Sequence, residues 1–254
     1  MFYIIAFILG SIWGSFANVC IHRLPNDESI AVKRSYCPKC NIKINWFDNI
    51  PLLSFFILGG KCRSCKAKID KRYFVVELIS VLSFLLIYHI YGLTITTLLL
   101  ASLSIFFIII FFIDLNHFII PNSLTFPLMI IGFAKSFAPN SDANLFPIYL
   151  NSLIGGIMGY LVIWLIILSY KKFKNKEGMG LGDAKLLSAI GFWFGWICIP
   201  FIIFISSVVA LLVVTPSLIR KSKTMSSQIP FGPYIIIGCV IYISFFDKFK
   251  IFLF

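Results

Sequence analysis

The chain has 254 residues, 59% of them hydrophobic and only 13% charged, and it carries 28 phenylalanines. A soluble domain of ordinary composition has about twice that charged fraction, and several apolar segments reach the roughly 20 residues a helix needs to cross a bilayer, so a soluble globular protein is excluded and a polytopic all-α membrane protein is indicated. The net charge of +12 does not indicate nucleic acid: eleven, five and three of the 22 basic residues fall in the blocks Arg23 to Arg72, Lys171 to Lys185 and Arg220 to Lys223. These blocks flank apolar segments and lack the interleaved aromatics or fold motif of a nucleic-acid binder; the expected partner is the lipid bilayer, whose anionic headgroups they suit.

The first apolar segment runs from Phe2 to Cys20. Its basic residues follow it rather than precede it, so it reads as a retained first span (residues 1–20) with the N-terminus outside, not as a cleaved signal. A polar, cysteine-containing insert occupies 21–72. Seven further apolar segments follow, near Tyr73–Tyr91, Thr94–Asp114, Ile119–Phe137, Phe146–Tyr170, Asp183–Cys198, Ile199–Ile219 and Phe231–Phe246, which makes residues 73–254 a seven-helix membrane domain. With eight spans and an outside N-terminus, the insert and the loops at 115–118, 171–182 and 220–230 all fall on the cytoplasmic side, and every basic block falls with them. Seven spans would put a basic block outside. Gly155, Gly156 and Gly159 read as close-packing positions between helices.

The insert contains Cys37-Pro-Lys-Cys40 and Cys62-Arg-Ser-Cys65, two CxxC knuckles separated by 21 residues. Each knuckle offers two thiolates, so the four sulfurs can close a tetrahedral shell around Zn²⁺. The surrounding Lys and Arg favour thiolates, and a short polar segment gains folding energy from a metal. Two disulfides or a redox pair are the alternative, but the reducing cytoplasm disfavours them. Four sulfur ligands leave no open position, so such a zinc is structural. Cys20, Cys198 and Cys239 lie in apolar stretches and read as core residues.

A charge at bilayer depth is costly and marks a candidate site. Three acidic residues qualify: Glu77, Asp114 and Asp183. Asp142, Glu177 and Asp247 lie in loops or the tail and read as solvated. Asp114 ends the third span and Asp183 begins the sixth, so antiparallel spans bring both to the same cytoplasmic edge although they are 69 residues apart. Two carboxylates meeting in a poorly hydrated place do not both ionise. The charged one can activate a water while the protonated one gives its proton to a leaving amine. Gly178, Gly180 and Gly182 precede Asp183 and permit close backbone approach and unusual dihedrals. Taken singly, Asp183 could be a helix N-terminal charge and Asp114 an interfacial one. Glu77 follows Lys71-Arg72-Tyr73 and could pair with an Arg or line a second site. His22, His89 and His117 do not form a metal-ligand spacing.

These segments together resemble the bacterial type IV prepilin peptidases of the bifunctional kind, over nearly the whole chain. Gly14-Ser-Phe-Ala-Asn-Val-Cys-Ile-His-Arg-Leu-Pro25 resembles the family's N-terminal signature, and the paired knuckles follow with Asn49-Ile-Pro-Leu-Leu-Ser54 between them. Arg72-Tyr-Phe-Val-Val-Glu77, Asp114 with Ile120-Pro-Asn122, Gly180-Leu-Gly-Asp183-Ala-Lys-Leu-Leu and Pro230-Phe-Gly-Pro-Tyr234 complete the series in order. GxGD alone is shared with presenilin-like proteases. The resemblance implies a cytoplasmic-membrane enzyme that removes the basic leader of prepilins or pseudopilins after a glycine, with Asp114 and Asp183 as the catalytic pair. It further implies methylation of the exposed amine from S-adenosylmethionine, with the insert as the methylation region and Gly60, Lys61 and Glu77 as candidate contributors. No Rossmann glycine fingerprint reads as that cofactor's pocket. A GxGD protease of other membrane substrates would not need the insert. A proton-coupled transporter or a zinc-ribbon scaffold is the non-enzymatic alternative, but no clear repeat supports a transporter.

Overall fold

The structure is a computed structural model, and it describes residues 2–30, 35–137, 145–174, 179–219 and 229–245. Gly178, Asp142, Glu177, Asp247 and the block from Arg220 to Lys223 lie outside the described residues. The fold is all-helical: α1 Phe2–Arg23, α2 Leu53–Ile57, α3 Lys71–Tyr91, α4 Ile95–His117, α5 Asn122–Ala134, α6 Tyr149–Lys174, α7 Leu181–Phe194, α8 Cys198–Ile219 and α9 Gly232–Ser244. Among the described residues the only β pairing is two isolated bridges in the insert, Tyr36 with Lys43 and Lys61 with Lys68.

All eight predicted apolar segments are helical, and five helices are long and apolar enough to span a membrane. The other three, α5, α7 and α9, have 13, 14 and 13 residues. They are shorter than the sequence suggests because the backbone starts them late or stops them early. Pro121 is the N-cap of α5, so Ile119 and Ile120 stay outside the helix. Gly195, at φ +81°, ends α7 and donates back to the Gly191 carbonyl, which separates α7 from α8. Proline in the first turn of α9 fixes its start.

The chain divides into two compact units, Met1–Ile109 and Ile110–Phe254. In the first, α1 and α3 pack antiparallel. The Tyr3 ring meets Tyr88 edge-on, a Cβ at Gly10 would lie 2.8 Å from Val81 Cα, and one at Gly14 would lie 2.9 Å from Glu77 Cα. Asn18 Nδ2 donates to the Tyr73 carbonyl (2.9 Å). Each advance along α1 is thus matched by an equal step back along α3. Gly10 and Gly14 form a GxxxG spacing that lets two backbones approach. Asp70 starts α3 by accepting the Arg72 N–H (2.9 Å).

In the second unit α7 is central. Ten of its fourteen residues are buried, and a helix that is apolar on all sides belongs inside a bundle. Its small residues make the closest seam, against α6. Gly155 and Gly191 sit backbone to backbone, and a Cβ at Gly159 would lie 2.6 Å from the Leu187 carbonyl oxygen. Ser188 and Ser152 hydroxyls donate to the Gly156 and Phe192 carbonyls (2.7 and 2.6 Å). The expectation that Gly155, Gly156 and Gly159 are packing positions is therefore met. At the far end of α7 the buried Lys135 ammonium donates to the Trp193 carbonyl (2.8 Å) and lies over the Phe146 ring, so the last turn is capped by a cation.

The seam has a direct test. A side chain at Gly191 would meet the backbone of Gly155, which cannot rotate away. Gly191→Val should destabilise the protein by about 1–3 kcal/mol or prevent folding, read as the melting temperature in detergent; an unchanged melt would contradict the seam.

Candidate active site and metal centre

Asp114 lies three residues before the end of α4 and is 4% exposed; Asp183 lies in the first turn of α7 and is 7% exposed. α4 stops because Phe118 adopts φ +57° and its N–H returns to the Asp114 carbonyl (2.9 Å). The Asp114 carboxylate then meets another helix start: Gly232 N–H donates to Asp114 Oδ2 (3.0 Å). α7 begins at Gly180, whose carbonyl accepts the Asp183 N–H (3.2 Å). Each carboxylate therefore sits at a helix N-terminus, Asp114 at that of α9 and Asp183 at that of its own helix, where free N–H groups and the helix dipole favour negative charge.

Ile120 links the two. A Cβ at Gly232 would lie 2.7 Å from Asp114 Oδ2 and 3.0 Å from Ile120 Cδ1, and one at Gly182 would lie 3.0 Å from Ile120 Cβ. The Ile120 side chain thus occupies the space between the glycine beside Asp114 and the glycine beside Asp183. Neither aspartate forms an ion pair among the described residues. Lys185, two residues beyond Asp183, turns instead to Asn122 Oδ1 (2.7 Å). The sequence brings Gly180 and Gly182 forward by their spacing. It does not reveal Gly232 as an Asp114 partner, because a backbone N–H does that work; the Gly-Pro start of α9 is the only signal. His117 is exposed.

In the first unit the four cysteines converge. The Sγ atoms of Cys37, Cys40, Cys62 and Cys65 all lie within 4.8 Å of one another, and those of Cys37 and Cys65 are 3.9 Å apart. An ion held tetrahedrally by sulfurs at about 2.3 Å separates them by about 3.8 Å, and a disulfide needs about 2.05 Å. The four sulfurs are unbonded to one another at separations close to that shell, so the set can hold a metal ion. The two knuckles are built alike. Asn41 and Lys66 each have φ near +57° and donate to the Cys37 and Cys62 carbonyls, and Cys37 and Cys62 donate to Ile42 and Ala67. Cys65 and Ser64 N–H groups hold the Cys62 thiol down at about 7. The Ile42 N–H acts to lower Cys40 too, but desolvation and the neighbouring sulfurs push it up to about 11. Arg63 locks the second knuckle to the linker by a two-pronged ion pair with Asp48 (2.6 Å), which holds the Asp48 carboxyl below its ordinary range.

A cavity of about 500 Å³ lies within this unit, lined by α1, the insert and the start of α3, a volume ordinary for a small-molecule site. Asn18, Asp70, Tyr73 and Glu77 are in its wall. Glu77 Oε2 accepts the Leu52 N–H (2.8 Å). Leu52 has φ 62°, ψ −52°, and Leu53 N–H bonds the Pro51 carbonyl (2.7 Å), a strained γ-turn. Gly60 and Lys61 are not in the wall: Gly60, at φ +66°, turns the chain over the Phe55 ring, and Lys61 pairs with Lys68 ahead of the second knuckle. Phe55, against which Gly60 packs, is in the wall.

The fold and sites define a multi-pass membrane protein with a buried carboxylate pair and a four-cysteine ribbon. Residues 8–91 match the bacterial peptidase A24 N-terminal domain and residues 100–215 the type IV leader peptidase family. Relatives named prepilin leader peptidase/N-methyltransferase occur in Aeromonas salmonicida (34% identical, 94% of this chain and 89% of the relative), Pseudomonas aeruginosa (34%, 93% and 88%) and Vibrio cholerae (36%, 94% and 95%). No solved structure matches. The chain belongs to the type IV leader peptidase family.

The metal set is tested by analysis of purified protein, which should carry one equivalent of metal per chain. Cys62→Ser should reduce that to well below one and expose the insert to protease; full occupancy in the variant would remove Cys62 from the ligand set.

Proposed function

We propose that this protein is a prepilin peptidase and N-methyltransferase, in which Asp114 and Asp183 cut the basic leader from prepilins or pseudopilins after a glycine. The observation that carries the reading is a pair of buried carboxylates with Ile120 between their neighbouring glycines, each at a helix N-terminus and neither in an ion pair among the described residues. In that setting one carboxylate is charged and the other keeps its proton. The charged one takes a proton from a water, whose oxygen bonds the scissile carbonyl carbon. The protonated one gives its proton to the nitrogen as the C–N bond breaks. Gly180 leaves the approach to Asp183 open beside it, while the Ile120 side chain packs on Gly182.

The insert, residues 21–72, holds a structural zinc on Cys37, Cys40, Cys62 and Cys65; the sulfur separations fit that ion's tetrahedral shell. Methylation takes place on the cavity this insert covers. S-adenosylmethionine, when bound, supplies an electrophilic methyl group; the aromatic Tyr73 and the carboxylates of the wall suit a cationic, partly aromatic ligand. Glu77 contributes from the wall, and Gly60 and Lys61 contribute by shaping the turn on Phe55. Residues 73–254 form the protease domain. The protein sits in the bacterial cytoplasmic membrane with its N-terminus outside and the insert and aspartates on the cytoplasmic side, a reading supported by the basic blocks. Nucleic acid is no partner.

Asp114→Asn and Asp183→Asn should each slow leader cleavage by at least about 10²-fold while leaving the melting temperature close to wild type. Leader removal at the normal rate by either variant would take that residue out of the reaction. Gly232→Ala, which crowds Asp114 Oδ2, should lower kcat for the same step.

A further inference from the structure

The wall of the first unit's cavity contains an unsatisfied corner. Asn18 is 2% exposed. Its Nδ2 donates to the Tyr73 carbonyl (2.9 Å), which fixes how the amide faces. Its Oδ1 is buried with no hydrogen-bond partner, and buried acceptors left empty are rare and costly. Glu77 stands one turn away: Gly14 abuts Glu77 Cα as Asn18 abuts Tyr73, four residues on along each helix. The Leu52 N–H fixes one oxygen of Glu77, and Oε1 makes no hydrogen bond among the described residues. No Lys or Arg pairs with Glu77 there either: Arg63 is committed to Asp48. Two acceptors, one of them a carboxylate oxygen, belong to residues of the cavity wall and have no donor of their own among the described residues. The group that complements them carries several N–H donors and a positive charge, as a primary ammonium does.

We propose that Asn18 Oδ1 and Glu77 Oε1 form the seat for the amine that receives the methyl group, the free α-amino group at the new end of the cleaved peptide. This rests on the reading of the cavity as the methylation site. The corner belongs to the two spanning helices, whereas much of the remaining wall belongs to the polar insert. A peptide end released at the membrane edge meets the spans first, and a water-soluble donor enters from the insert. Asn18 is thereby a specificity residue: it and Glu77 select an uncapped N-terminus.

The test needs no methyl transfer. Full-length, metal-loaded protein in detergent is titrated with a synthetic peptide of the mature pilin N-terminal sequence and with its N-acetylated form, in the absence of S-adenosylmethionine. Wild type should bind the free amine about tenfold more tightly than the acetylated peptide. Glu77→Gln, which keeps an acceptor for Leu52 N–H, and Asn18→Leu should each reduce that preference to about twofold or less, with metal content unchanged as the check on folding. Equal binding of the two peptides by wild type overturns the proposal. So does full preference in both variants accompanied by weaker binding of S-adenosylmethionine alone, which would give the corner to the donor's own ammonium. A wild type that prefers the free amine but transfers no methyl group supports the seat and defeats the methylation reading, so the two failures are distinct.

Discussion

A carboxylate taken out of water needs hydrogen bonds, a cation or a proton, and Asp114 and Asp183 sit at helix starts with no ion pair among the described residues. Asp114 receives a backbone N–H from the start of α9, and Asp183 rides the start of α7. Bringing two helix starts to the end of a third requires that no side chains intervene, which is why Gly182 and Gly232 have no room for a Cβ and Ile120 fills what space is left. The seam between α6 and α7 serves the same end. With backbones in contact at Gly155 and Gly191, α7 has no freedom to slide, and Asp183 is held at a fixed height. Lys135 at the other end of α7 gives a donor to the Trp193 carbonyl, which the helix would otherwise leave bare in an apolar setting.

The first unit solves a different problem. The insert has few buried apolar side chains of its own, so its shape comes from the sulfur cluster, the Asp48–Arg63 pair and the packing of Phe55 and Phe56 on Phe74 in the first turn of α3. A metal held on the four sulfurs would be coupled to the wall of the cavity, because Arg63 of the second knuckle holds Asp48 on the linker that continues to Leu52. Glu77 joins the linker to the helix by holding a backbone turn that is strained on its own. Strain of this kind persists where the surroundings enforce it, and it commonly marks a working site.

Much of this was legible in the amino-acid sequence for identifiable reasons. CxxC spacing constrains the chain locally, so the four cysteines could be grouped without knowing the fold. Asp114 and Asp183 stand out because acidic residues are costly in apolar runs, and antiparallel threading alone brings their edges together. The limits of reading are equally physical. Gly232 acts through its N–H, which every non-proline residue has. Leu52 carries no signature of a positive φ, so the bond that seats Glu77 was invisible. Helix ends at Ile120 and Gly195 were misjudged because hydropathy continues past the point where Pro121 and Gly195 stop the hydrogen-bond ladder. Gly60 and Lys61 entered through the resemblance alone; Gly60 lies against the Phe55 ring, and neither residue is in the cavity wall.

Cleavage and N-methylation act in sequence, since the amine that cleavage exposes is the group that is methylated. The central claim is that Asp114 and Asp183 act as one group, exchanging a single proton between them. The most direct measurement compares cleavage rates of wild type, Asp114→Asn, Asp183→Asn and the double variant on one prepilin. Groups that work as a unit are non-additive: the double variant should be no slower than the slower single one. A double variant slowed by the product of the two single losses would mean that the aspartates act independently, and would contradict the pair.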